Sequence, residues 1–358
     1  MTSRDITAQR LINQQITGSR FGTPAELVKW MGCIQAQDYP AAKWAIGNRI
    51  KGITDAAIES DFNAGHILRT HVLRPTWHFV SPDDIGWMLK LTAPKIKAMS
   101  KTWHKKLEID STVLNKSKKT IAAALTGGKQ LTRDQLALLL ENENINTDDI
   151  RLGFLLMDAE LDGLICSGAK QGKQFTYALL DERAPHRKEF DNETAIAELT
   201  KTYLFSHGPA TVHDLSWWSG LSLSDSKTGI EANRQNLAHE VINGKTYWFA
   251  SSFQPAAKPG AVYLLPAFDE FAIAYKDRSD FLHNEHIKQT GSGIFKPILI
   301  IDGQIAGTWK RSINKGKVAV EITALKKIST GNKQGIKKQA TRYCKFLEMD
   351  LGELSFIT

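Results

Sequence analysis

Apolar residues along this 358-residue chain fall in short blocks whose spacing switches repeatedly from helical to strand-like. Helix-like apolar runs occupy residues 10–16, 121–125 and 196–205. Each is followed by the same signal: a Thr, then Glu, Gln or Asp three positions on, then Leu at once. The copies are Thr23-Pro24-Ala25-Glu26-Leu27, Thr132-Arg133-Asp134-Gln135-Leu136 and Thr211-Val212-His213-Asp214-Leu215. A Thr at a helix N-cap accepts from a free backbone N–H, and an acidic or amide side chain at the third helical position reaches back to the cap. A third apolar run and a strand-like pair follow each copy. Helix, capped helix, helix and hairpin is the outline of a winged helix, and three of them point to a protein that handles nucleic acid. The copies begin 109 and 79 residues apart, which excludes a solenoid of fixed short period.

The pattern predicts an α+β protein: three tandem winged-helix modules and a β-rich C-terminal region. Module one takes residues 1–90, with helices expected at about 5–17, 23–35 and 41–50 and paired strands at 66–70 and 76–80. Residues 91–190 hold a Lys-rich helical connection over 91–115 and module two, with its third helix at 151–165 and a hairpin pairing 164–167 with 175–180. Module three runs 191–258 and ends in a strand at 245–250. In the fourth region, 259–358, the stretches VYLLPAF, PILIIDGQIAGTWKR and KVAVEITAL predict an antiparallel sheet with a turn at Asp302-Gly303. A helix over 334–347 closes the chain.

Composition narrows the class. At 42% hydrophobic and 23% charged the chain is an ordinary globular protein. It has no signal-like or membrane-spanning apolar run, so a cytoplasmic, nucleoid-associated protein is expected, with no membrane partner. Cys33, Cys166 and Cys344 are scattered and odd in number, which argues for a reducing compartment without disulfides or zinc. The net charge of +8 is concentrated. Residues 288–345 hold thirteen Lys or Arg against Asp302 and Glu321, and residues 88–119 hold nine Lys against Glu108 and Asp110; the remainder carries 24 basic and 34 acidic residues. Such tracts fit a phosphate backbone, or are solvated Lys-rich faces. No GxxxxGK[ST], GxGxxG or GxSxG element supports nucleotide-driven or serine-hydrolase chemistry, and no cofactor or metal is expected.

Three clusters can carry chemistry. Gln35 and Gln37 flank Ala36 just before Asp38 and Pro40. On an extended segment side chains at i and i+2 share a side, and Pro40 pushes Tyr39 out of the α region, so the helix is expected to end here. Two carboxamides can hold one water molecule, which suits a reaction whose leaving group departs readily; the alternative is that they satisfy frayed helix carbonyls. Asp38 is a rival base. The probable wing, residues 69–79, supplies Arg69, His71, Arg74, Trp77 and His78 for phosphates and bases, with Phe79 in the core and Trp77 on either side of that division. Lys310 and Arg311 end the GTWKR strand and are further candidates for phosphate contact. Asp269 and Glu270 are read as an ion-pair network with Lys276 and Arg278, and His283 and His286 as surface histidines rather than zinc ligands.

Taken in order, IQAQD, RTHVLRPTWHFV, LDGLICSG, HGPAT-x-x-DLSWWSGL, LLPAFDEF-x-x-x-YKDRS and GTWKR resemble the bacterial winged-helix DNA glycosylases that unhook interstrand crosslinks, the azinomycin-resistance type. The resemblance runs from about residue 8 to 325. It implies three winged helices and a β-rich region arranged as a C-shaped channel around double-stranded DNA. The family's catalytic motif is Gln, an apolar residue, then Gln or Asp; here it falls on Gln35, Ala36 and Gln37, in the Gln form. Ala36 is smaller than the bulky apolar residue expected there. The resemblance implies an enzyme that hydrolyses the N-glycosidic bond of N7-alkylated purines; with no Lys in an apolar setting close to Gln35 and Gln37 it is expected to be monofunctional, and with three modules in one chain it needs no dimer and is expected to be a monomer. The competing class is a non-enzymatic winged-helix regulator, which would bind one operator as a symmetric dimer.

Overall fold

A computed structural model describes residues 1–252, 262–293 and 295–357. The chain forms two compact units, one of Met1–Glu59 with Ala197–Thr358, the other of Ser60–Ile196. The expected boundary at 258/259 lies outside the described residues. Among the described residues no helix is long and apolar enough to cross a membrane.

All three Thr signals close as reciprocal capping boxes. Thr23, Thr132 and Thr211 each accept the backbone N–H three residues on, and Glu26, Gln135 and Asp214 reach back to the cap. A fourth box, Thr2 with Asp5, starts the first helix, Ser3–Asn13.

The second unit holds one complete winged helix. Helices Ser111–Leu125, Arg133–Asn142 and Arg151–Leu161 precede a hairpin, Ile165–Ser167 with Thr176–Leu179, and the short strand Leu131–Thr132 adds to its other edge. Ile121, Leu125, Leu136, Leu140, Leu155 and Leu156 close its core. The helical connection expected over 91–115 is two elements. Helix Ile85–Lys106 contains Pro94 and ends before Glu108, which takes a positive φ of 50°; Asp110 then caps a new helix through the Val113 N–H.

Helix Asn192–His207 begins in the second unit and continues in the first, where helices Val212–Ser219 and Leu223–Ala232 lead to the hairpin Leu237–Ile242 with Lys245–Ala250. Its turn, Asn243-Gly244, has positive φ at both residues, as tight hairpins require. The expected turn at Asp302-Gly303 does the same, at φ 52° and 77°. A five-stranded sheet follows, in the order Asp350–Ile357, Lys317–Ala324, Gln304–Asn314, Ile298–Ile301, Val262–Leu265. Four strands are antiparallel as expected. Asp350–Ile357, which no pattern in the sequence singled out, pairs parallel with Lys317–Ala324 because helix Thr330–Phe346 forms the crossover.

That helix is anchored by aromatic rings. Tyr343 meets Trp44 edge-on at 4.8 Å and Trp309 at 5.2 Å, and Phe346 lies 5.1 Å from Trp44. The indole N–H groups of Trp44 and Trp309 donate to the carbonyls of Leu264 and Leu265, both at 2.8 Å. Phe346 leaves no room at Gly47, where a Cβ would lie 2.5 Å from its ring. Ala in a helix normally gains about 0.5–1 kcal/mol over Gly, while overpacking against a fixed ring costs about 1–3 kcal/mol. The clash should win: Gly47→Ala is expected to lower stability in a urea titration, and a gain would contradict this packing.

Candidate active site

The helix Pro24–Met31 stops at Met31, four residues earlier than expected, with Gly32 as its C-cap and not because of Pro40. Gly32 has φ +77°, and a Cβ there would lie 2.8 Å from Thr202 Cγ2. Only glycine meets both demands. The chain then extends as strand Cys33–Gln35, which is buried throughout. Pro40 instead sits in the first turn of the next helix, Tyr39–Gly47, where its missing N–H costs nothing. Asp38 caps that helix, accepting the Ala41 N–H at 3.1 Å. Gln35 is thus held on a buried, non-helical segment, and Gln37 and Asp38 emerge exposed beside it. The Gln35 side-chain carbonyl, Oε1, is buried and accepts no hydrogen bond from the described residues.

The Gln35 strand is fixed from behind by a group the sequence reading assigned elsewhere. Glu270 is fully buried; one carboxylate oxygen accepts the Gln35 backbone N–H at 2.9 Å, the other the Trp218 indole N–H at 3.0 Å. Its neighbour Asp269 takes both terminal nitrogens of Arg49 at 2.8 Å, a bidentate pair with no solvent access. The bonds seen here differ from the network expected with Lys276 and Arg278. Lys276 donates its backbone N–H to Asp214, and the Arg278 Nε donates to the Ala272 carbonyl. The two acids do not alternate on a strand: Asp269 caps the short helix Glu270–Ile273, so both turn inward. His207 stands 3.7 Å from Glu270. Burial pushes its pKa below the ordinary histidine value, against the opposing pull of the nearby Glu270 carboxylate.

The second unit carries the wing, Leu68–His71 with Trp77–Val80. Its tip includes Leu73 at φ 62°, a conformation costly for a side chain with a Cβ. Of the five wing residues expected to face DNA, three are buried. Arg69 lies between the rings of Trp77 and Phe175, 4.4 and 4.6 Å from their centres. The His71 imidazole pairs with the buried Glu160 carboxylate, which also accepts the His71 N–H at 3.2 Å. His78 is fully buried, its Nδ1 on the Thr76 carbonyl at 2.9 Å. Arg74 and Trp77 stay half-exposed. Lys310 and Arg311 are both exposed, on opposite faces of their strand. Lys310 pairs with Glu321 at 2.7 Å, and Arg311 lies 5.5 Å over the Tyr343 ring. Among the described residues, no group of three or more His, Cys, Asp or Glu could hold a metal.

A winged helix complete within one unit and a second lying mostly in the other place the chain in the class of nucleic-acid-handling proteins. The sequence profile described as DNA glycosylase AlkZ-like matches residues 28–346, and the chain belongs to that family. It is a DNA glycosylase, a hydrolase acting on N-glycosyl bonds, rather than a regulator. The chain is similar to a protein of Streptomyces sahachiroi named interstrand DNA cross-link repair glycosylase, at 21% identity over 326 residues, 86% of this chain and 87% of that one. The solved structure of Streptomyces sahachiroi DNA glycosylase AlkZ shares the fold over the full length of both chains, with a TM-score of 0.83 and 19% identity.

Glu270→Gln keeps the shape but turns an N–H toward one of the two donors. Leaving a buried donor unmatched costs about 1–3 kcal/mol. The variant should lose that much stability in a denaturant titration, and unchanged stability would show that Glu270 does not hold the Gln35 strand. The sign for His207 is also fixed. Its folded pKa lies below the unfolded one, so its contribution is intact above about pH 6.5 and lost as pH falls through the folded value. The drop in stability below that pH should shrink in His207→Gln.

Proposed function

We infer that this glycosylase releases N7-alkylated purines from double-stranded DNA, interstrand crosslinks included, and that Gln35 and Gln37 position the attacking water. The observation that carries the reading is the Gln35 Oε1, a buried acceptor left without a hydrogen bond from the described residues, two residues before an exposed Gln37. An unmatched buried acceptor is costly unless a donor arrives, and a water proton is such a donor. The named activity of the Streptomyces relative supports the crosslink substrate.

The chemistry fits weak bases. An N7-alkylated purine already carries positive charge, so it leaves without a general acid. The C1′–N9 bond breaks with its electron pair going to the base, the sugar becomes oxocarbenium-like, and water adds at C1′ and gives its proton to solvent. Two amides need only orient that water. Asp38 is less suited to act as a base, because one of its carboxylate oxygens caps the following helix. A base tethered to the opposite strand cannot swing into a deep pocket, so an exposed Gln37 is consistent with such a substrate.

Gln35→Ala and Gln37→Ala are each expected to reduce base excision tenfold or more, the order of a lost positioned contact, with DNA affinity little changed. Near-normal excision by the double variant would reject the pair and promote Asp38. The enzyme should also leave an intact abasic site. A lyase needs a free amine, and Lys43, the nearest lysine downstream of the pair, gives its amine to Asp55 at 2.6 Å and Glu59 at 2.8 Å. Trapping of a covalent DNA adduct with borohydride would contradict this. DNA affinity should fall steeply with salt and vary little with sequence. Because Lys310 and Arg311 face opposite ways, replacing both by Ala should flatten the log–log salt slope by about one unit, the share of one phosphate. An unchanged slope would mean that the strand is a solvated face.

A further inference from the structure

A second feature of the first unit lies away from Gln35 and Gln37. Helix Tyr39–Gly47 and the turn after it, helix Thr330–Phe346 and the segment 15–19 line a groove of about 1060 Å³. Among the described residues no Asp or Glu lines it, while Lys51, Lys337, Lys338 and Lys345 do. Among the described residues none of these four ammonium groups has an ion-pair partner. The other two cations there are already engaged. Arg49 is held by Asp269, and Arg342 donates to the carbonyls of Gly47 and Asn48 at 3.1 and 2.9 Å, which covers the negative end of the helix. The lysine charge is therefore uncompensated.

Asn48 is one of the residues that line this groove. It is 1% exposed, yet among the described residues neither the oxygen nor the nitrogen of its carboxamide has a hydrogen-bond partner. Buried amides are almost always satisfied. One that offers an unmet acceptor and an unmet donor side by side matches a ligand edge bearing both, as a carboxamide meets the N6 and N7 of adenine. We propose that this groove is a nucleotide site, with the base edge on Asn48 and the phosphates on the lysines at the rim. The occupant is either a free nucleotide or one nucleotide of a single strand, which share that chemistry. The site stands independently of the excision reading, because neither Gln lines it.

The test is titration calorimetry of the full chain with ATP, with tripolyphosphate and with an eight-residue deoxyadenosine strand. ATP should bind at least tenfold more tightly than tripolyphosphate, because only ATP carries the base edge. Lys337→Ala with Lys345→Ala, both on the exposed side of their helix, should weaken ATP at least tenfold. Asn48→Asp, which exchanges the donor for a charge, should remove the advantage of ATP over tripolyphosphate. If that variant does not fold, the lysine pair and the comparison of ligands decide. Tighter binding of the strand than of ATP identifies a strand segment as the occupant, and the reverse a free nucleotide. Equal affinity for ATP and tripolyphosphate, or unaltered ATP binding in the lysine variant, overturns the proposal.

Discussion

Two opposite charges with no access to water, the Arg49 guanidinium and the Asp269 carboxylate, fix the geometry on which the rest of the first unit depends. Burying such a pair is expensive, and it is tolerated only when the remaining donors are satisfied. Here they are: Arg49 also reaches the carbonyls of Gln14 and Ala45, and Asp269 accepts the Phe271 N–H. The pair pins the turn Asp269–Glu270 against the helix that follows the Gln segment. Glu270 is then placed so that one carboxylate grips the backbone of Gln35 and the ring of Trp218 together. Removing one partner of a buried pair leaves an uncompensated charge, at a cost of about 3–5 kcal/mol, so the three segments move together or not at all.

This arrangement separates holding from reacting. The charged groups are sealed in the interior, where they orient a strand. The side chains at the site itself are the amides of a buried Gln35 and an exposed Gln37, and the exposed Asp38, one of whose carboxylate oxygens caps the following helix. The two amides cannot supply a strong acid or base. They match a substrate whose own positive charge drives departure and which asks only for a placed water, and that match joins the fold to the proposed reaction.

Local signals were legible in the sequence. The capping boxes, the Asp302-Gly303 turn and the alternating strands are each decided within a few residues, and they recur in the structure at or near the expected positions. The Gln pair was legible as a non-helical i, i+2 motif, although the stop signal is Gly32 rather than Pro40. What escaped depends on partners far along the chain. Asp269 meets Arg49 across 220 residues, and Glu270 meets Gln35 across 235. Arg69 reads as an exposed cation until Phe175 covers it, and the strand Asp350–Ile357 has no partner until a helical crossover carries it back. Sequence pattern carries the period of an element, not the identity of a distant neighbour.

The central claim is that water held by neutral amides adds to the sugar after an alkylated base departs. The direct measurement is single-turnover excision from a duplex bearing one N7-methylguanine, run in ¹⁸O-labelled water with mass analysis of both products. The account predicts released N7-methylguanine without label and an intact strand with one ¹⁸O at C1′ of the abasic sugar. Strand cleavage, or base release with no label at the sugar, would contradict it.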